Sequence, residues 1–205
     1  MIYDITPPIS PRLQVWPGDT PPSRELLRDM HRGDQITLST LHATVHLGAH
    51  ADAPSHYGVD APTIDECDLD SYLGSCQVMR VKVPRLSCIA PDMLSVIQAP
   101  RLLLATDTFP DAEQFNTDFA ALAPESVEHL HRQGVKLIGI DTPSVDLFES
   151  RDLLSHRKCL KYNIAILEGL MLKDVPEGRY ELIALPLKLV DFDASPVRAI
   201  LRLRE

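Results

Sequence analysis

Apolar positions in this chain fall into short blocks bounded by polar or turn-forming residues, and no long helical stripe runs through it. Blocks of this length, rich in Val, Ile and Leu, predict strands over residues 77–83, 101–106, 135–140, 164–167, 181–185 and 197–203. A helix is predicted over residues 124–133. Pro124 and Glu125 open it, Val127 and Leu130 give it an apolar side, and Gly134 stops it. A shorter helix is expected after Pro91. The pairs Pro7-Pro8 and Pro21-Pro22 mark a loop-rich N-terminal region, and 17 prolines against 9 glycines predict ordered connections. Strands outnumber helices, and there is no repeat or linker. The expected fold is α/β: a single β-rich domain over residues 1–205, with a mixed sheet flanked by helices.

Composition narrows the function. A chain of 205 residues, 44% apolar and 24% charged, can bury a full core. A net charge of −9 argues against nucleic acid as a partner, although a metal cation could still attract a small anion. Cys67, Cys76, Cys88 and Cys159 form no CxxC pair and read as reduced thiols of a cytoplasmic protein. Asp4 falls where a signal peptide needs its apolar stretch, and no apolar run approaches the ~18 residues of a membrane span. The GxSxG, GxGxxG and P-loop patterns are absent, which removes the grounds for a serine hydrolase, a nicotinamide dehydrogenase or an NTPase.

The chemistry is concentrated between His42 and His56, where four of the 8 histidines lie. Uniform scattering would place fewer than one in such a window. A single histidine on an apolar face is ordinarily a hydrogen-bonded core residue, but that reading does not account for His46, His50, Asp52 and His56 together. Imidazole and carboxylate without cysteine suit a catalytic divalent-metal site that keeps a position open for water. A straight strand would spread these residues over about 33 Å, and a helix would turn Asp52 away from His46 and His50. The segment must therefore bend, at Gly48 and Pro54. The small Ala49, Ala51 and Ala53 are expected to let the backbone approach an ion. His46, His50 and Asp52 are the expected ligands, and His56, beyond the second bend, the proton-transfer group. Asp107 and Asp141, each just past an apolar strand, are secondary candidates; a turn-forming or capping role explains them equally well.

The run His46-Leu47-Gly48-Ala49-His50-Ala51-Asp52-Ala53-Pro54-Ser55-His56 resembles the HxGTHxDxPxH signature of the metal-dependent cyclase-type hydrolases. Within them the chain is similar to the bacterial kynurenine formamidases (arylformamidases) of tryptophan breakdown. The likeness runs nearly end to end, through Val15-Trp16-Pro17-Gly18-Asp19, the stretch from Gly139 to Asp146, Ile166-Leu167-Glu168-Gly169-Leu170 and Asp193-Ala194-Ser195-Pro196. The resemblance implies a swivelling β/β/α fold, a homodimer and two divalent metal ions per subunit, usually zinc, with manganese as an alternative. It implies that His46, His50 and Asp52 hold one ion, that Asp52 bridges to the second, and that His156 and Glu168 complete the ligand set. It makes His56 the proton-transferring residue and Trp16 part of the substrate pocket. The implied reaction is hydrolysis of N-formyl-L-kynurenine to kynurenine and formate.

Residue by residue, the added positions carry little signal of their own. His156 beside Arg157 and Lys158 reads as surface, Trp16 as packing against Pro17, and Glu168 as a rim residue after an apolar run. Ala49 departs from the family's usual Thr, whose hydroxyl would orient a ligand or water. Two alternatives remain at this stage: a sister hydrolase acting on a cyclic amide such as isatin or another small acyl compound, and a non-catalytic metal-binding protein.

Overall fold

In the computed structural model, which describes residues 1–203, the strands in chain order are β1 (Ile2–Asp4), β2 (Ser23–Arg28), β3 (Leu38–His42), β4 (His50–Asp52), β5 (Leu73–Arg80), β6 (Cys88–Ile89), β7 (Arg101–Ala105), β8 (Ala121–Leu122), β9 (Leu137–Ile140), β10 (Ala165–Glu168), β11 (Gly178–Ile183), β12 (Ala194–Pro196) and β13 (Ile200–Arg202). Two α-helices, α1 (Pro124–Arg132) and α2 (Leu154–Tyr162), accompany them. Nine strands form one mixed, curled sheet in the order β1-β13-β11-β5-β7-β9-β10-β4-β12.

The centre of that sheet, β5-β7-β9-β10, is parallel, and its neighbours on both sides are antiparallel. Parallel strands must be covered on both faces, which explains why their sequences read as unbroken apolar runs. In β7, Leu103 joins one core cluster while Leu102 and Leu104 join the other. The second cluster lies under α1 and α2 and takes in Val127, Leu130 and Cys159. The first is closed by the curl of the sheet, which brings Leu182 of β11, Leu201 of β13 and Ala51 of β4 against Leu103 and Leu167.

Every predicted strand is present, with ends shifted by a few residues; the 77–83 run begins earlier, at Leu73, and ends at Arg80. The helix over 124–133 forms as α1. The helix expected after Pro91 is a single 3-10 turn, Pro91–Met93. The loop-rich N-terminal region contains a ribbon, β2 paired with β3, in which only Thr40 is even half-buried. Its residues do not alternate in polarity because neither face is covered. No helix among the described residues is long and apolar enough to cross a membrane.

Candidate metal centre

Four parallel strands end at one edge, and the site lies along it. Glu168 closes β10, Asp141 follows β9, Thr106 and Asp107 follow β7, and Arg80 closes β5. β4 runs antiparallel to β10 in a register that sets His50 opposite Glu168. Strand alternation then puts His50 and Asp52 on one face and Ala51 on the other. Gly48, with φ +57°, turns the chain so that His46 comes back over this face. Pro54 starts the 3-10 turn that presents His56.

The result is a knot of imidazoles and carboxylates. Asp52 Oδ1 lies 3.1 Å from His46 Nδ1 and 3.4 Å from His50 Nε2. Asp52 Oδ2 lies 3.4 Å from His156 Nε2. Glu168 is 3.5 Å from His50 Nε2 through one oxygen and 3.5 Å from His156 Nε2 through the other. Donors held at ~2.0–2.1 Å around one tetrahedral ion sit about 3.3–3.4 Å apart, so these separations suit ligands of a shared cation. The angles are not those of hydrogen bonds. His50 Nε2 and both Asp52 oxygens are buried without a hydrogen-bond partner in the described structure, a costly arrangement that a cation would resolve. Two overlapping donor groups form, His46–Asp52–His56 and His50–Asp52–Glu168, with Asp52 common to both. The residues present therefore fit divalent metal.

Each imidazole is aimed by a bond at its other nitrogen, which fixes the tautomer. His50 Nδ1 donates to the Gly48 carbonyl at 2.9 Å, leaving Nε2 toward Glu168. His156 Nδ1 is bonded to Asp146 at 2.7 Å. His46 Nε2 is 3.0 Å from Asp193, which also stands 3.5 Å from His56 Nδ1. Burial disfavours charge throughout the group, but the pairing overrides it. Against burial, the three histidines hold the Asp52 carboxyl well below its usual range. Against burial again, Asp52 and Glu168 raise the His50 pKa to about 10, and Asp146, Asp52 and Glu168 raise that of His156. In metal-free protein the imidazoles thus carry protons that a bound cation would displace.

The structure places His46, His50, Asp52, His156 and Glu168 side by side. His50 groups with Glu168, while His46 groups with His56. His56 is the most open of the four histidines, its side chain 35% exposed against 3% for His156. His42 is outside the centre, on β3, paired with Glu25 at 2.9 Å. Ala49, Ala51 and Ala53 do not face the ion side; they point into the apolar core, because odd positions of an extended segment face away from even ones. Residue 49 thus presents its side chain to the core. His156 is buried in the first turn of α2, not on the surface. That helix was illegible because its buried face is Ser155, His156 and Cys159. Asp141 is committed to structure: its carboxylate accepts from Thr106 N, Asp107 N and the Thr106 hydroxyl at 2.7–2.9 Å.

Two residues that contact the centre's histidines carry no assignment from the sequence. Asp146 accepts from the backbone amides of Ser155 and His156 as well as the His156 ring, so one carboxylate caps α2 and orients its histidine. Asp193 joins His46 to His56. Neither lies near its partners in sequence, and no local pattern marks them.

Beside the centre is a cavity of about 810 Å³, walled by Trp16, Phe109 and Phe115. Trp16 stacks on Phe148 at 4.8 Å and meets Phe115 edge-on at 5.8 Å, so it packs against phenylalanines and lines the cavity at once.

The family model of the cyclases matches residues 3–147, more than half the chain. The protein belongs to the Cyclase family. Among solved structures it is similar to one described as a potential metal-dependent hydrolase with cyclase activity: 28% identical, TM-score 0.87, covering 100% of this chain and 98% of that one. A predicted metal-dependent hydrolase from Bacillus stearothermophilus is 29% identical over 98% of this chain and 97% of its own, with a TM-score of 0.82. An isatin hydrolase bound to the product analogue thioisatinate has the same fold, with a TM-score of 0.84 over 100% of this chain and 92% of its own at 20% identity.

Proposed function

We propose that the protein is a metal-dependent arylformamidase that hydrolyses N-formyl-L-kynurenine to kynurenine and formate. The observation that carries this reading is the Asp52-centred pair of donor groups opening onto an aromatic-walled cavity. Its relatives described as metal-dependent hydrolases support the reaction class. His46, His50, Asp52, His156 and Glu168 would hold two divalent ions, with zinc suited to this nitrogen and oxygen set. Bound metal would supply the Lewis acidity that makes water nucleophilic near neutral pH and polarises a formyl oxygen.

The chain's own residues do the rest. Trp16, Phe109 and Phe115 receive the aryl ring and exclude water. His56 lines the cavity with its Nδ1 near Asp193, and its Nε2 is the nitrogen assigned to proton transfer. That nitrogen takes the proton of the attacking water as the bond to the formyl carbon forms. It then delivers a proton to the anilide nitrogen as the C–N bond breaks, releasing formate and the aryl amine. A homodimer is part of the proposal; it is supported by Leu26, Leu27, Met30, Leu38 and Leu41, left exposed on and beside the β2–β3 ribbon.

The test is hydrolysis of N-formyl-L-kynurenine by purified protein, chelated and then restored with zinc. Activity lost on chelation and regained with metal supports the reading. The isatin hydrolases' shared fold favours one second reading, a cyclic amide substrate. Turnover of isatin without turnover of the formamide would replace the first reading with it.

A further inference from the structure

The proposed reaction places a formyl group at the metal centre but leaves the other end of the cavity unexplained. That end lies over β7 and β5. Asp107, which lines it, has a left-handed backbone, φ +55°, a conformation that aspartate and asparagine adopt more readily than other side chains. It is held there twice. Its amide donates to the buried Asp141 carboxylate at 2.9 Å, and its Oδ2 pairs with Arg80 at 3.0 Å.

Arg80 does more than neutralise Asp107. Its guanidinium also donates to the carbonyls of Leu172, Lys173 and Val175, tying down the loop that forms the facing wall. Both terminal nitrogens of Arg80 are engaged in these bonds. Among the described residues lining the cavity, Lys173 is then the only lysine or arginine. Asp107 keeps its Oδ1 free, on a side chain 54% exposed. Arg80 thus binds Asp107 through its carboxylate and Lys173 through its backbone carbonyl, so an anionic side chain and a lysine are fixed at the same end of the cavity, two strands from Glu168.

The separation matches a substrate. Glu168 on β10 and Asp107 after β7 are two strand spacings apart, about 10 Å. In a formylated kynurenine six bonds run from the formyl carbon to the α-carbon, ~7 Å; the ammonium nitrogen lies one bond further and the carboxylate oxygens two.

We propose that Asp107 and Lys173 form a distal subsite for the amino-acid head of the substrate. Asp107 Oδ1 accepts the α-ammonium, Lys173 pairs with the α-carboxylate, and Arg80 and Asp141 are positioning residues. This rests on the arylformamidase reading and deepens it by assigning the residues that recognise the zwitterionic head of the substrate.

The experiment compares kcat/KM for N-formyl-L-kynurenine with that for formanilide, which lacks the head group, in the zinc-loaded wild type, Asp107→Asn and Lys173→Met. The wild type should prefer the zwitterionic substrate. Each substitution should lower that preference about 10- to 100-fold, the scale of one charge-assisted hydrogen bond, chiefly through KM. A wild type with no preference, variants that keep the wild-type ratio, or equal losses on both substrates would overturn the subsite, with the arylformamidase reading intact. A wild type that hydrolyses neither formamide would overturn both.

Discussion

At the β4–β10 end of the cavity, Asp52, Glu168 and three imidazoles crowd within 3.5 Å of their neighbours under nearly complete burial, and several polar atoms lack a hydrogen bond. At the β5–β7 end, Asp107 and Arg80 meet in partial exposure with Arg80's donors satisfied by backbone carbonyls. One end is complete only with a cation. The other holds its one ion pair without any added group, and in the proposed subsite its remaining groups meet the substrate. The difference follows from desolvation. Buried charges interact strongly and must be compensated in full, whereas exposed ones are screened and contribute modestly to stability.

The strongest test of this contrast is Asp52→Ala, which removes the residue common to both donor groups. Losing one electrostatic donor from an active site costs ~10²–10³ in kcat, and losing bound metal costs more. Elemental analysis should find the variant without metal, and hydrolysis should fall to background. Retained metal would show that Asp52 is not the shared ligand. His56→Ala comes next, with an expected loss of ~10²–10⁴ in kcat, the usual range for a general acid–base. Metal content should be unchanged. If metal is lost as well, His56 acts as a ligand beside His46, not as the proton carrier.

Gly169→Ala tests how closely the ligand strands must approach. An added Cβ would lie 2.1 Å from the Gly48 carbonyl oxygen, the atom that accepts from His50 Nδ1, and the backbone there has φ +66°. Displacing that oxygen should turn His50 and weaken metal affinity by ~10–100-fold, the cost of losing a ligand's supporting partner. A competitive chelator titration measures it; wild-type affinity would mean that the Gly48–Gly169 contact does not aim His50.

The smallest expected effect is on the stability of metal-free protein with pH. The raised His50 pKa, about 10 in the fold against 6.5 ordinarily, contributes stability that is fully present below ~6.5 and lost as pH rises through about 10. The depressed Asp52 carboxyl contributes stability present above its ordinary 3.8 and lost on further acidification. These are the same contacts seen from both partners, so they are not summed. Thermal melts of chelated protein should peak between about pH 4 and 6.5 and decline toward 10. Adding zinc should reverse the alkaline decline, because metal requires deprotonated imidazoles. An alkaline decline unaffected by zinc would place its origin elsewhere in the molecule.

What could be read without coordinates was local. β7 and β9 were visible because strands buried on both faces must be apolar throughout. The bends at Gly48 and Pro54 followed from backbone freedom at one residue and ring constraint at the other. His46, His50, Asp52 and His56 stood out through density along the chain. By contrast, α2 has a buried face of serine, histidine and cysteine, so its periodicity gave no sign. Its cap is Asp146, outside the helix and brought to it by the fold.

The sequence by itself determined a β-rich α/β domain and a histidine–carboxylate segment bent at two known residues, and, through resemblance, pointed to His156 and Glu168 as residues to seek beside it. Only the tertiary structure decided which nitrogen faces which oxygen, that the three alanines serve the core, that His42 lies apart, and that Asp146 and Asp193 orient the histidines. The reason is physical. Backbone preference and polarity act over a few residues and leave a trace in local pattern. Ligand geometry depends on strand register and helix placement, such as β4 against β10 and α2 over the sheet, which join residues more than a hundred positions apart.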